Sequence, residues 1–137
     1  NMTDDMIVAL GEADGVINVN CVAGFVWVDP SDGNEQSMKG PESEMKDPFD
    51  FLTSKGSGVG PTMNRLMDQF DLAITLAGAD HVGIGSDFDG ASLFPIGLDD
   101  ISRMPLVTDA LLKRGHSLEA VEGILGANDL RLLGKTL

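Results

Sequence analysis

Stretches in which apolar residues recur every three or four positions alternate along the chain with two short β-branched runs, and these patterns predict helices and strands respectively. Thr3, Asp4 and Asp5 precede apolar Met6, Ile7, Ala9 and Leu10. This is an N-cap with acidic residues in the first turn, and it predicts a helix over 4–13 stopped at Gly11 or Gly15. Val16 to Asn20 follows as a strand bounded by turn formers. Met63, Leu66, Met67, Phe70, Ile74 and Ala77 form a helical stripe over 62–77, with Thr62 as cap and Gly78 as stop; the stripe reads as core. Val82 to Ser86 is a second short strand. Pro105 opens a helix that Gly115 ends, Ser117 caps another that runs to Gly126, and a last helical turn covers 127–133.

Between the first strand and the 62–77 helix, residues 26–61 change character. Turn formers crowd Asp29 to Asn34 and Gly56 to Pro61, and so long a connection predicts a lid or an excursion with short helices of its own. Strands that alternate with helices pair in parallel through crossovers, so the fold class is α/β. Two strands cannot make a sheet covered on both faces, and a complete (β/α)₈ barrel takes about 250 residues. With Asn1 opening directly onto a helix start, the 137 residues read as part of a longer protein.

Composition narrows the functional classes. With 42% apolar and 23% charged residues the chain is globular, and 9 Lys+Arg against 22 Asp+Glu give a net charge of −13. Nucleic acid and anionic membrane surfaces call for a basic footprint, so neither is an expected partner. No run approaches the ~20 apolar residues of a membrane span and nothing resembles a secretory leader, so the expectation is a soluble chain, cytoplasmic rather than secreted. A single cysteine, Cys21, excludes an internal disulfide and a cysteine zinc cage, and His81 and His116 are the only histidines.

The sharpest local signal is His81 to Gly90, HVGIGSDFDG. On a strand, Val82, Ile84 and Ser86 share one face and Gly83, Gly85 and Asp87 the other. Bulk on one face packs against helices, while the glycines leave room in front of Asp87 at the strand's C-terminal end, where parallel α/β folds place their active sites. A carboxylate there is able to bind a metal, take a proton or hold an amine. Equally, Asp87 is able simply to cap the loop, with Asp89 and Gly90 in a turn. His81 opens the strand that Asp87 ends, roughly 20 Å away, so one site does not use both; His116 reads as solvated. Asn20 and Phe25 stand at the same rim if the strands are parallel. They either line a substrate pocket or serve as loop support and core. The glycines at 83, 85 and 90 do not fit the dinucleotide formula, and Asp29 to Glu35 lacks calcium-loop spacing.

HVGIGSDFDG, the preceding LAGAD, the opening NMTDDMI and GVINVN, the segment GLDDISRMPLVTDALLKRGHS and the closing ILGANDLR together resemble the C-terminal part of the renal-type membrane dipeptidases, the M19 metallopeptidases. The resemblance runs in order over residues 1–137 and is weakest at 26–61. It implies a partial (β/α)₈ TIM barrel, comprising the last two strands and their helices, in an enzyme that hydrolyses dipeptides with two zinc ions. By the same resemblance Asp87 lies beside the metal pair and handles protons or the substrate amine, and Phe25 lines the pocket with Asn20 nearby. The zinc ligands implied lie on earlier strands, and Gln69 and Leu72 stand where relatives carry a histidine pair. The alternative expectation is a non-catalytic half-barrel whose open sheet edge associates with a partner or with a second copy as a homo-oligomer.

Overall fold

A computed structural model describes residues 2–26, 62–91 and 94–137; the expected excursion at 26–61 therefore lies, beyond Val26, outside the described residues. Helix α1 (Asp4–Glu12) starts after Thr3, whose backbone is extended but whose side chain makes no cap bond. Asp14, in the left-handed region at φ 59°, turns the chain towards strand β1 (Ile17–Asn20). Asp is among the few non-glycine residues that enter this region readily. A single helical turn, α2 (Ala23–Val26), follows β1. Helix α3 (Met63–Ala77) begins after Thr62 and stops at Gly78, whose φ of 92° no helix continues. Strand β2 (Val82–Gly85) comes next, entered through a 3₁₀ turn at Ala79–His81.

Beyond β2, a 3₁₀ turn capped by Asp100 leads into α4 (Met104–Lys113), with Pro105 in its first turn as the sequence predicts. Ser117 accepts a bond from the Ala120 amide and starts α5 (Leu118–Glu122). The helix expected to continue to Gly126 instead ends at Glu122. A π turn at Gly123–Ala127 contains Gly126 at φ 144°, and α6 (Asn128–Thr136) then departs in a new direction.

β1 and β2 pair in parallel, in the register Ile17 with Val82, Asn18 with Gly83, Val19 with Ile84, and Asn20 with Gly85. The pleat divides them into two faces. Val19 and Val82 are buried among Leu66, Met67 and Phe70 of α3, Val107 and Leu111 of α4, Val121 and Ile124, with Ile17 and Ile84 packed at the margin. The predicted α3 stripe is thus core. On the opposite face stand Asn18, Asn20 and the two glycines of β2, and the expected role of those glycines changes in one respect. A Cβ on Gly83 would lie 2.0 Å from Asn18 Oδ1 and 3.0 Å from Asp129 Oδ2. The space at Gly83 is taken by a cross-strand asparagine and a carboxylate from α6, rather than left open before Asp87.

Candidate functional site

The strand register carries Asp87 to the polar face. Asn20 sits opposite Gly85, and Asp87, two residues on, leaves β2 on the same side of the pleat. Asn20 Nδ2 donates to Asp87 Oδ2 at 3.2 Å. The other end of that amide is fixed locally, since Asn20 Oδ1 accepts the Val22 backbone N–H at 2.7 Å, an Asx turn that begins α2. A backbone N–H can only donate, so the amide has one orientation and its NH₂ group faces the carboxylate.

Asp87 itself lies in the left-handed region at φ 60°, and its carbonyl accepts the Gly90 N–H at 3.1 Å to close a turn. Phe88, the next residue, packs against the core margin and meets the Phe94 ring with centroids 5.0 Å apart. The geometry leaves both readings of Asp87 open: its backbone opens the turn, and its carboxylate stays exposed at the C-terminal end of β2. Asp89 is an exposed turn residue.

Phe25 is 54% exposed, which removes the core alternative from the two readings of it. From α2 it joins Asn20, Asn18, Gln69 and Leu72 in lining a cavity of about 340 Å³ along the outer edge of β1, floored by Ile7 and Ile17. Asn20 is therefore shared: it lines this cavity and touches Asp87.

His81 lies at the opposite end of β2 from Asp87, as its position predicts; its Nδ1–H donates to the Gly15 carbonyl at 2.9 Å. His116 is not a freely solvated side chain. Its Nε2 donates to Asp71 Oδ1 at 2.8 Å, and Arg114 binds the other oxygen of the same carboxylate as well as Asp68 and the Asn64 carbonyl. Partial burial alone would raise the Asp71 carboxyl, but the hydrogen bonds from Arg114 and His116 outweigh it and hold the group below its usual value. Among the described residues no group of three or more His, Cys, Asp or Glu side chains is placed to hold a metal ion. Both histidines are committed elsewhere and Asp87 stands beside an amide, so these residues do not make a metal site. Sequence reasoning missed Asn128, a buried side chain whose Nδ2 donates to both the Ala79 and Val82 carbonyls at 2.8 Å. An asparagine at the head of an otherwise amphipathic closing helix was the available signal.

Comparison with known proteins adds an independent line. A family model described as membrane dipeptidase (peptidase family M19) matches residues 1–136. Over 82 residues the chain is 43% identical to dipeptidase ataJ of Aspergillus terreus, covering 60% of this chain and 20% of that protein. Over 134 residues it is 31% identical to dipeptidase aclJ of Aspergillus oryzae, covering 98% of this chain and 25% of that one. It also superposes, with a TM-score of 0.70 and 26% identity, on a metallopeptidase from Rhodobacter sphaeroides solved with a phosphinate mimic of the dipeptide L-Ala-D-Ala, covering 100% of this chain and 32% of that structure. The chain thus spans about a fifth to a quarter of these curated relatives.

Proposed function

The chain belongs to the membrane dipeptidase family, peptidase family M19, and from that premise we propose that it forms the last two strands and helices of a (β/α)₈ barrel that hydrolyses dipeptides, with Asp87 as a catalytic residue. The observation that carries this reading is the exposed Asp87 carboxylate at the C-terminal end of β2, the end at which parallel barrels do their chemistry. Two parallel strands with one apolar face against helices and one polar face bearing Asn18, Asn20 and Asp87 suit a barrel wall whose inner side faces a solvated site. The family's metal, with two zinc ions as our reading, would be held by residues other than those described here, and no step of the reaction is assigned to it from this chain.

What this chain supplies is a negative charge and a proton acceptor at the rim. A carboxylate there binds the protonated amino group that marks the N-terminus of a dipeptide, or carries a proton between the attacking water and the leaving amine. Phe25 offers a ring to the substrate's apolar side chain; it has no polar group, so its contribution is contact area alone. Asn20 and Phe25 together form the chain's part of the pocket wall.

The test is hydrolysis of a simple dipeptide by the metal-loaded protein that contains this chain, compared with its Asp87→Asn variant. Removal of a general acid or base costs about 10²–10⁴ in rate. A loss of that size with an unchanged melting temperature supports the reading; wild-type turnover by the variant removes Asp87 from the machinery.

A further inference from the structure

Asn20 was expected to contact substrate, yet both ends of its amide are used inside the chain. One end holds the Val22 N–H at 2.7 Å and the other donates to Asp87 Oδ2 at 3.2 Å. The second oxygen of Asp87 is confined from a different direction. A Cβ built on Gly90 would stand 2.2 Å from Asp87 Oδ1 and 3.1 Å from its Cγ. Gly90 does not have a positive φ, so its backbone would admit alanine; what a side chain there would displace is the Asp87 carboxylate lying over it. The turn that brings Gly90 beneath Asp87 is closed by the Gly90 N–H on the Asp87 carbonyl, which ties the two positions together.

We propose that Asn20 and Gly90 are positioning residues for Asp87: the Asn20 amide draws the carboxylate towards β1 by a hydrogen bond to Oδ2, and the bare Gly90 provides the recess that Oδ1 occupies. The inference rests on the reading of Asp87 as catalytic, and deepens it. A short side chain has few rotamers, and two constraints from independent segments, one across the sheet and one along the loop, select a single direction for its charge. Asn20 consequently acts on the reaction through Asp87 and not by holding substrate. The two residues also report differently: loss of Asn20 releases the carboxylate, whereas a methyl at position 90 drives it out of its recess.

The experiment uses the metal-loaded protein containing this chain, with Asn20→Ala, Asn20→Asp and Gly90→Ala made singly and on the Asp87→Asn background. Asn20→Asp retains the acceptor for the Val22 N–H and replaces the donor to Asp87 with a second carboxylate that repels it, so it keeps the local turn while pushing Asp87 away, and guards against a variant that fails to fold. Misplacing a reacting group by about an ångström costs up to about 100-fold. Each single variant is expected to lower kcat/KM by roughly 10-fold to 100-fold, in the same parameter, kcat or KM, that Asp87→Asn itself changes. Neither change should cost anything further once Asp87 is Asn. Crystal structures supply a readout independent of activity, and should show the Asp87 carboxylate displaced in Gly90→Ala. Wild-type kcat/KM in the Asn20 variants, an added loss in kcat or KM on the Asp87→Asn background, or a carboxylate that stays in place in Gly90→Ala would each overturn the inference. If Asp87→Asn alone retains wild-type turnover, the functional reading of Asp87 fails, while the carboxylate position in the variants still decides the positioning claim.

Discussion

At the scale of single residues, two titratable side chains make separate predictions. Cys21 is fully buried, and burial pushes its thiol up to about 11. At pH 8 about a thousandth of it is thiolate, so an aromatic disulfide reagent should label the native protein at least about 100-fold more slowly than the unfolded chain. Equal rates in the presence and absence of denaturant would contradict the burial. Asp71 behaves in the opposite sense. Its folded pKa lies below the usual 3.8 because of Arg114 and His116, so its stabilising contribution is fully present above that value and is lost as pH falls through the lower folded one. Denaturant midpoints measured from pH 6 down to pH 2 should fall more steeply for wild type than for Asp71→Asn, with parallel curves as the disproving result. How legible such residues are in the sequence depends on what singles them out. Asp87 is visible because a strand with glycines on one face ends on it. Asp71 and His116 are not, because they meet across 45 residues of chain and only the packing of α3 against the end of α4 brings them together.

The same distinction holds for whole elements. Helix α3 and both strands are readable because a stripe and a β-branched run encode them locally, whereas the break after Glu122 is a tertiary decision. The π turn at Gly123–Ala127 redirects the chain so that Asn128 reaches the carbonyls at the entry to β2. The Ala79 carbonyl precedes the strand ladder and the Val82 carbonyl belongs to its first residue, and both are bonded from α6. Asn128→Ala should therefore destabilise the protein by about 1–3 kcal/mol, read as a lower urea midpoint with unchanged slope, because two carbonyls lose their shared donor in a buried place. A loss below about 0.5 kcal/mol would mean that water replaces the amide at little cost. Phe25 shows why short elements defeat pattern reading. A single turn such as α2 has no periodicity to expose its outward face, so the residues alone leave its aromatic ring between pocket wall and core.

For the molecule as a whole, charge and edge act against one another. The net charge of −13 opposes association at neutral pH, while among the described residues the outer edge of β1 opens onto a cavity lined by Ile7 and Ile17. The 137-residue chain is expected to self-associate as pH approaches its sequence pI of about 4.2, and Ile17→Lys should shift that onset to higher protein concentration in sedimentation velocity; identical behaviour of the two would place the contact elsewhere. The parallel topology followed from the alternation of elements, but the clasp that closes it did not. Asn128 grips Val82 from 46 positions further along the chain, and Arg131 and Lys135 grip Asp14 from 117 and 121 positions away. Synthesis runs from the N-terminus, so the carbonyls at the entry to β2 leave the ribosome long before their donor exists. The strand pair therefore gains this latch only once residues 128–135 have been made, and a premature stop codon before Asn128 is expected to leave it unlatched.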